Sequence, residues 1–379
     1  MQYRKLGKTD YEVSALGFGA MRLPTLEEGG VDHDEAIKCF HRAFELGVNY
    51  VDTAFGYHGG ESEVVVGKAV KGYRDKVKFA TKNPYKGESG EEWMKNLETQ
   101  LERLDTDHID FLLSHGLRWE AYDGPMSVPG GPMDMFRKAK EQGKIGEMCF
   151  SSHDSPENIK KLIDTGEFAT MTVQYNLLDR HNEDVIAYAA EKGMGVIAMG
   201  PVAGGRLVAP SETIKNLIPG EVGSSPEMAL RFVLANQNIS VALSGMGNMQ
   251  MVEENAATCA RTDILSQEEL DHMEKAMEEV KKFSDLYCTG CGYCMPCPQD
   301  IHISHAFSLM NMHRVWGQTE YARNSYQRWA EKGKPPWLAD YKTAAACIEC
   351  GKCEKECPQN IPVMEQLKEV EAVLGKASE

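Results

Sequence analysis

Where the cysteines fall constrains this 379-residue chain more than any other feature: eight of its eleven are crowded between Cys288 and Cys357. They form two runs, Cys288-Thr-Gly-Cys291-Gly-Tyr-Cys294-Met-Pro-Cys297-Pro298 and Cys347-Ile-Glu-Cys350-Gly-Lys-Cys353-Glu-Lys-Glu-Cys357-Pro358. The other three, Cys39, Cys149 and Cys259, each sit in an apolar periodic segment and read as small buried hydrophobes. A disulfide scaffold suits small secreted domains, and the start of this chain, Met1-Gln2-Tyr3-Arg4-Lys5, lacks the apolar stretch of a secretory signal. Ligand chemistry is the better reading of the crowded eight.

The second run fits C-x2-C-x2-C-x3-C-P, the spacing of bacterial ferredoxins that carry two [4Fe–4S] clusters. Three thiolates at this spacing wrap one face of a cubane, and the fourth, held by the following proline, ligates the other cluster. The first run is one residue shorter before its last cysteine, and both continue as Cys-Pro-Gln-x-Ile. The crossed assignment gives Cys288, Cys291, Cys294 and Cys357 to one cluster, and Cys347, Cys350, Cys353 and Cys297 to the other. Zinc also uses C-x2-C pairs, but two triplets each followed by Cys-Pro suit a four-ligand tetrahedron poorly. The 49 residues between the runs include helix-like spacing at Ile303–Met312 and Tyr321–Ala330. Residues 276–379 are therefore expected to form a mainly helical ferredoxin-like iron–sulfur domain.

The length leaves room for a much larger domain ahead of it. Acidic side chains outnumber basic ones 57 to 41, a formal charge of −16, which would repel nucleic acid and anionic membrane surfaces alike. No apolar stretch reaches the roughly 18 residues of a spanning helix. A cytoplasmic protein with no nucleic-acid or membrane partner is the expectation.

Through residues 1–275, short apolar strands alternate with amphipathic helices. Strands are predicted at Ala15–Gly19, Asn49–Thr53, Val77–Thr81, Ile109–Ser114, Glu147–Ser151, Thr170–Gln174, Gly195–Met199 and Ser240–Ser244. Helices are predicted at Asp34–Leu46, Glu61–Lys71, Glu91–Leu104, Pro132–Gln142, Pro156–Thr165, Glu183–Lys192, Pro226–Asn236 and Met249–Ala260. Ser155-Pro156 and Ser225-Pro226 are helix starts, and Gly47, Gly143, Gly166 and Gly193 follow helix ends. Eight strands each followed by a helix make a (β/α)8 TIM barrel, an α/β fold of about 250 residues. A doubly wound sheet would need a glycine fingerprint that Gly17-Phe18-Gly19-Ala20-Met21 does not complete.

Barrel chemistry gathers at the C-terminal strand ends. There stand Asp52 after the second strand, Tyr57 five residues on, Lys82 after the third and His115 after the fourth. Each alone reads as an ordinary loop residue. Four at adjacent strand ends converge on one side of the mouth.

This constellation resembles the aldo/keto reductases, in which Asp, Tyr, Lys and His form the catalytic tetrad. The resemblance rests on Gly17-Phe18-Gly19-Ala20-Met21-Arg22, Asp52-Thr53-Ala54 with Tyr57, Ser62-Glu63 with Gly67, Thr81-Lys82, Asp110-Phe111-Leu112-Leu113-Ser114-His115 and Gln174-Tyr175-Asn176-Leu177-Leu178. It covers essentially all of residues 1–275, and the first cysteine run is similar to that of the subgroup with a C-terminal iron–sulfur extension. It implies an NAD(P)H-dependent oxidoreductase acting on a small carbonyl substrate. Tyr57 would be the general acid, Lys82 would lower its pKa, Asp52 would hold Lys82, and His115 would orient the carbonyl or share the proton.

The resemblance also implies cofactor contacts from Gly19, Met21, Ser151, Ser152, Gln174, Met199, Gly200, Val202, Gly204, Gly245, Asn248 and Asn255. Ser152 stands where asparagine is usual, and Met199 where many relatives stack an aromatic ring. After the eighth strand, Ser244–Met251 offers no Lys or Arg for a 2′-phosphate, and Glu253 and Glu254 would repel one. NAD(H) is therefore slightly favoured over NADP(H), with Arg206 and Arg261 the cations left to approach from elsewhere in the chain.

Three functional readings stay open. The clusters exchange electrons with the barrel or with a ferredoxin-like or flavin partner, or they are structural and brace the mouth. In the third reading, the chain is an electron-transfer or binding protein whose barrel does not turn over. Hydride moves two electrons and a cluster one, and no flavin site is evident to reconcile them.

Overall fold

The structure is a computed structural model. It describes residues 1–26, 29–177, 179–203, 224–262, 265–275, 294–314, 316–331, 338–357 and 361–375. Two compact units emerge: Met1–Gly204 with Ala229–Leu265, and Gly205–Met228 with Ser266–Glu379.

In the first unit eight parallel strands close on themselves: β3 (Leu16–Gly19), β4 (Tyr50–Asp52), β5 (Lys78–Pro84), β6 (Ile109–His115), β7 (Ile145–Ser152), β8 (Thr170–Gln174), β9 (Gly195–Met199) and β10 (Val241–Gly245), with β10 pairing back to β3. The TIM barrel expected from the alternation is the observed fold. Helices α1 (His33–Glu45), α2 (Glu61–Val70), α3 (Gly90–Arg103), α4 (Pro132–Glu141), α5 (Pro156–Asp164), α6 (Glu183–Glu191), α7 (Ser225–Ala235) and α8 (Met249–Ala260) occur at the predicted places. Their packing follows from spacing. In α1 the buried residues are Ala36, Cys39, Phe40 and Ala43, one face of a 3.6-residue repeat. Ser155 caps α5 through Asn158 N–H, ahead of a proline at the first helical position. Gly47, Gly143, Gly166 and Gly193 all take the positive φ wanted after a helix end.

Two differences matter for the site. Strand β5 runs to Pro84, three residues past its expected end, so Lys82 lies inside the strand and is fixed by its ladder with β6, opposite Leu113. Ahead of the barrel stands an unforeseen antiparallel hairpin, β1 (Tyr3–Lys5) with β2 (Glu12–Ser14). Its Leu6 and Val13 are fully buried with Tyr50, Ala80, Phe111, Leu113, Cys149, Ile197 and Val241, closing the N-terminal end of the barrel interior. Gly7 in this hairpin approaches β9 so closely that a Cβ would stand 2.3 Å from the Gly195 nitrogen. Cys39, Cys149 and Cys259 are all buried, as expected of small hydrophobes.

The second unit is helical in its described part. Helices α9 (Ile303–Arg314), α10 (Thr319–Ala330), α11 (Lys352–Lys355) and α12 (Val363–Leu374) pack around Phe307, Met310, Tyr326, Trp329, Leu367 and Val370. The Tyr326 hydroxyl donates to Glu371 at 2.7 Å and accepts from Ala344 N–H at 2.8 Å, tying α10 to α12 and to the segment before Cys347. Among the described residues no helix is long and apolar enough to cross a membrane.

Candidate active site and cluster pocket

The four predicted catalytic side chains come together at the C-terminal rim. Asp52 ends β4, Lys82 rises from β5 and His115 ends β6, while Tyr57 begins a short turn, Tyr57–Gly60, between β4 and α2. Lys82 is the hub. Its Nζ donates to Asp52, to the Thr53 carbonyl at 2.7 Å and to the Tyr57 hydroxyl at 3.4 Å. It also lies 4.8 Å from the centre of the Tyr57 ring, whose edge-on neighbour at 6.0 Å is the His115 imidazole. Asp52 and Lys82 are buried to within 2% of full enclosure.

Burial and charge oppose each other here. Burial pushes the Asp52 carboxyl upward against the pull of Lys82, in keeping with Oδ2, which is buried and meets no donor among the described residues. Desolvation alone would lower Lys82, but Asp52, by charge and hydrogen bond, together with the ammonium's bond to the Tyr57 hydroxyl, more than offsets it and holds the ammonium above its ordinary value. For Tyr57, burial outweighs the ammonium. Lys82 does pull the phenol down, as the sequence reading expects, yet the net shift is upward. That reading weighed the charge without the enclosure, so its expected lowering is corrected. The consequence is a phenol that stays protonated at neutral pH. His115 is pushed down to about 4, by burial first and then by Lys82 and His153, so its imidazole is neutral.

The expected cofactor residues line neighbouring strand ends. Ser151 and Ser152 finish β7, Gln174 finishes β8, Met199 finishes β9 with Gly200 next, and Gly245 finishes β10. Gly200 has φ +65, and a Cβ there would meet the Gln174 amide at 2.6 Å. Asn176 donates to the Gly200 carbonyl at 3.0 Å, and Ala203 N–H closes a turn on it at 2.8 Å, so Gly200–Val202 is a defined backbone edge. Gly19 would bring a Cβ within 3.3 Å of the Ser244 carbonyl, Met21 is exposed, and Asn255 bonds Ser244 at 3.2 Å.

Two side chains already have local work. Ser152 donates to the Leu117 carbonyl at 2.7 Å and accepts from Asp154 N–H, holding the loop after β6. Asn248 caps α8 through Met251 N–H at 2.9 Å. Gly204 and Arg206 lie outside the described residues. Arg261 sits at the far end of α8, where its carbonyl accepts from Gln2, well away from Asn248. Sequence reasoning passed over Arg22 except as part of a motif. Its stem runs along Gly245, 3.1 Å from where a Cβ would stand, so it is a cation at the junction of β3 and β10.

In the second unit, one pocket is lined by Cys297, Cys347, Cys350 and Cys353, with Cys294 also on its wall. None of these cysteines forms a disulfide. The pairing has a backbone cause: Ile301 bridges Lys342, and Lys342 N–H bonds the Asp300 carbonyl at 2.8 Å, laying the first run beside the approach to the second. Glu349 and Gly351 both have positive φ, curling the loop so that its cysteines face one space. Ile301, Ile303, Met364 and Leu367 supply apolar wall. Gln299 N–H points at the Cys297 sulfur at 3.5 Å, the kind of contact that tunes a ligating thiolate. Cys357 packs on the same core as Cys294, Cys297, Cys347 and Cys353, while Cys288 and Cys291 fall outside the described residues. Cysteines of both runs thus line one pocket, although among the described residues no three His, Cys, Asp or Glu side chains are gathered closely enough to hold a metal ion.

Comparison with known proteins assigns both parts of the chain to known families. Residues 15–278 match the aldo/keto reductase family, and residues 287–361 match a 4Fe-4S dicluster domain. L-galactose dehydrogenase of Arabidopsis thaliana is 31% identical over 314 residues, covering 75% of this chain and 97% of the relative. The NADH-specific methylglyoxal reductase of Escherichia coli (strain K12) is 24% identical, covering 66% and 91%. Among solved structures, a Bacillus halodurans aldo-keto reductase in its holo form is 30% identical at a TM-score of 0.63, covering 73% and 96%. A Klebsiella pneumoniae aldo/keto reductase in complex with NADP and acetate is 26% identical at 0.59, covering 70% and 91%. The chain belongs to the aldo/keto reductase family, as an oxidoreductase whose barrel is followed by a 4Fe–4S dicluster domain.

Proposed function

We propose that the barrel reduces a small aldehyde or ketone, with Tyr57 delivering the proton to the carbonyl oxygen. The observation that carries this reading is the Lys82 ammonium seated between Asp52 and the Tyr57 hydroxyl at the barrel rim. A phenol held protonated by burial is a competent acid at neutral pH, and the adjacent ammonium stabilises the phenolate left behind. Neutral His115 orients the carbonyl oxygen by donating a hydrogen bond, and it is not the proton source. When bound, a reduced nicotinamide supplies the hydride. The residues that would hold it are Gly19, Met21, Ser151, Gln174, Met199, Gly200, Val202, Gly245 and Asn255, with Ser152 and Asn248 shaping the loops around it.

NAD(H) is the favoured cofactor. Glu253 and Glu254 stand in the first half of α8, and the name of the NADH-specific relative points the same way. The names of that relative and of L-galactose dehydrogenase make a small aldehyde with oxygen on the neighbouring carbon the favoured substrate class. The dicluster domain would hold its clusters by the crossed scheme, and its exposed Cys350 and Ile348 give a ferredoxin-like or flavin partner a rim to approach.

Tyr57→Phe is the decisive variant. It should lower NADH-dependent carbonyl reduction by at least ~100-fold, the usual range for a lost general acid, while NADH binding, read by fluorescence quenching, persists. Turnover at the parent rate would remove Tyr57 from the role.

A further inference from the structure

The hydroxyl of Tyr57 is carried on a turn, not on a strand, so something must hold that turn to the sub-ångström tolerance of proton transfer. Lys82 fixes its start: Nζ bonds the Thr53 carbonyl, and the Lys82 carbonyl accepts from Phe55 N–H at 3.1 Å. The outer side of the turn is held by a different residue. Arg103, at the end of α3, donates to the Phe55 carbonyl at 3.0 Å, and its guanidinium lies 4.6 Å from the Phe55 ring centre. The same guanidinium presses on Gly60, where φ is +98 and a Cβ would meet it at 2.6 Å. Arg103 therefore grips the turn on both sides of Tyr57.

What aims Arg103 is a buried carboxylate. Glu63 of α2 is fully enclosed and accepts from Arg103 at 3.2 Å, from Thr81 at 2.6 Å and from Gln100 at 2.8 Å. Gln100 reaches on to the Lys82 carbonyl at 3.2 Å. One network thus touches the Lys82 backbone and, at Phe55, the turn that carries Tyr57, and its Glu63, Thr81 and Gln100 side chains are fully buried. A buried charge is costly unless paired and bonded, and here every oxygen of Glu63 is used.

We infer that Glu63 and Arg103 are positioning residues that set the distance between the Tyr57 hydroxyl and the Lys82 ammonium, and so the efficiency of proton delivery. The inference rests on the reading of Tyr57 as the acid. The planar guanidinium is required because it must serve Glu63 and the Phe55 carbonyl together, which a lysine's single point charge does less well.

The test uses the full chain. Arg103→Lys keeps the charge for Glu63 and hence the fold, but loosens the turn. We expect kcat to fall by ~10–100-fold with KM nearly unchanged, the signature of lost alignment. Because Lys82 pulls the phenol down, a hydroxyl that drifts from it should move the alkaline limb of the kcat profile to higher pH. Glu63→Gln combined with Arg103→Met removes both charges at once, avoids an orphaned one, and should reproduce both effects at a melting temperature close to the parent's. Parent-like kcat in Arg103→Lys overturns the inference, as does a fall in kcat with an unmoved alkaline limb in either variant. Tyr57→Phe run alongside separates the two claims: an active Tyr57→Phe enzyme overturns the acid assignment, whereas an inactive one beside a fully active Arg103→Lys enzyme overturns only the positioning role.

Discussion

His115 and Tyr57 sit at the same rim and are pushed in opposite directions by the same enclosure, because burial penalises whichever form is charged. The neutral imidazole and neutral phenol define a working window. Carbonyl reduction should show a kcat that stays flat through neutral pH and falls only on the alkaline side, above the ordinary tyrosine range, as Tyr57 loses its proton. Stability has its own dependence. His115 titrates near 4 in the fold and near 6.5 when unfolded, so between these values the unfolded chain binds the extra proton. The fold therefore loses stability as pH drops through that window. Melting curves from pH 7 to 4 should show the loss, and His115→Gln should flatten it; equal slopes in the two proteins would contradict the assignment. At this scale the sequence was readable where chemistry announces itself, in Asp52, Tyr57, Lys82 and His115. It was unreadable where the environment decides. The upward shift of Tyr57 depends on enclosure, and Glu63 finds Arg103 40 positions away on another helix.

Helices α2 and α3 carry that pair, and a single small residue sets how near they lie. At Gly67 a Cβ would stand 2.5 Å from the Leu104 carbonyl and 2.9 Å from its Cα, and backbone cannot step aside as a side chain can. Gly67→Ala should cost about 1–3 kcal/mol by overpacking, seen as a lower denaturation midpoint at unchanged m-value. The alternation of strands and helices was plain from sequence because helices such as α1, α3, α4 and α5 show a strong apolar face and each strand a short apolar run. Boundaries were softer. Strand β5 extends through Lys82-Asn83-Pro84 because its ladder partner β6 continues to His115, a constraint that exists only once the two are paired. The N-terminal hairpin escaped notice because its strands are three residues each and largely polar, and only Leu6 and Val13 betray what they cover.

The whole molecule joins a fold read from periodicity to a second unit read from spacing. The crossing of the two cysteine runs is a proposal from that spacing, and the pocket's lining, which holds both Cys294 and Cys297, does not choose between ligand sets. The crossing leads to an uneven expectation for single replacements. Cys357→Ser should leave this pocket's cluster in place and disturb the one assigned to Cys288, Cys291 and Cys294, so anaerobically purified protein should lose about half its iron and sulfide. Loss confined to the cluster of Cys347, Cys350 and Cys353 would refute the crossing.

The sealed floor of the barrel has a kinetic corollary. With Leu6 and Val13 stoppering one end, visitors reach the reacting groups only from the rim where Tyr57 and His115 stand. Two guests sharing a single doorway must queue. If one reactant lies beneath the other, binding should be ordered and the last release slow, and a random pattern in product-inhibition kinetics would contradict that expectation.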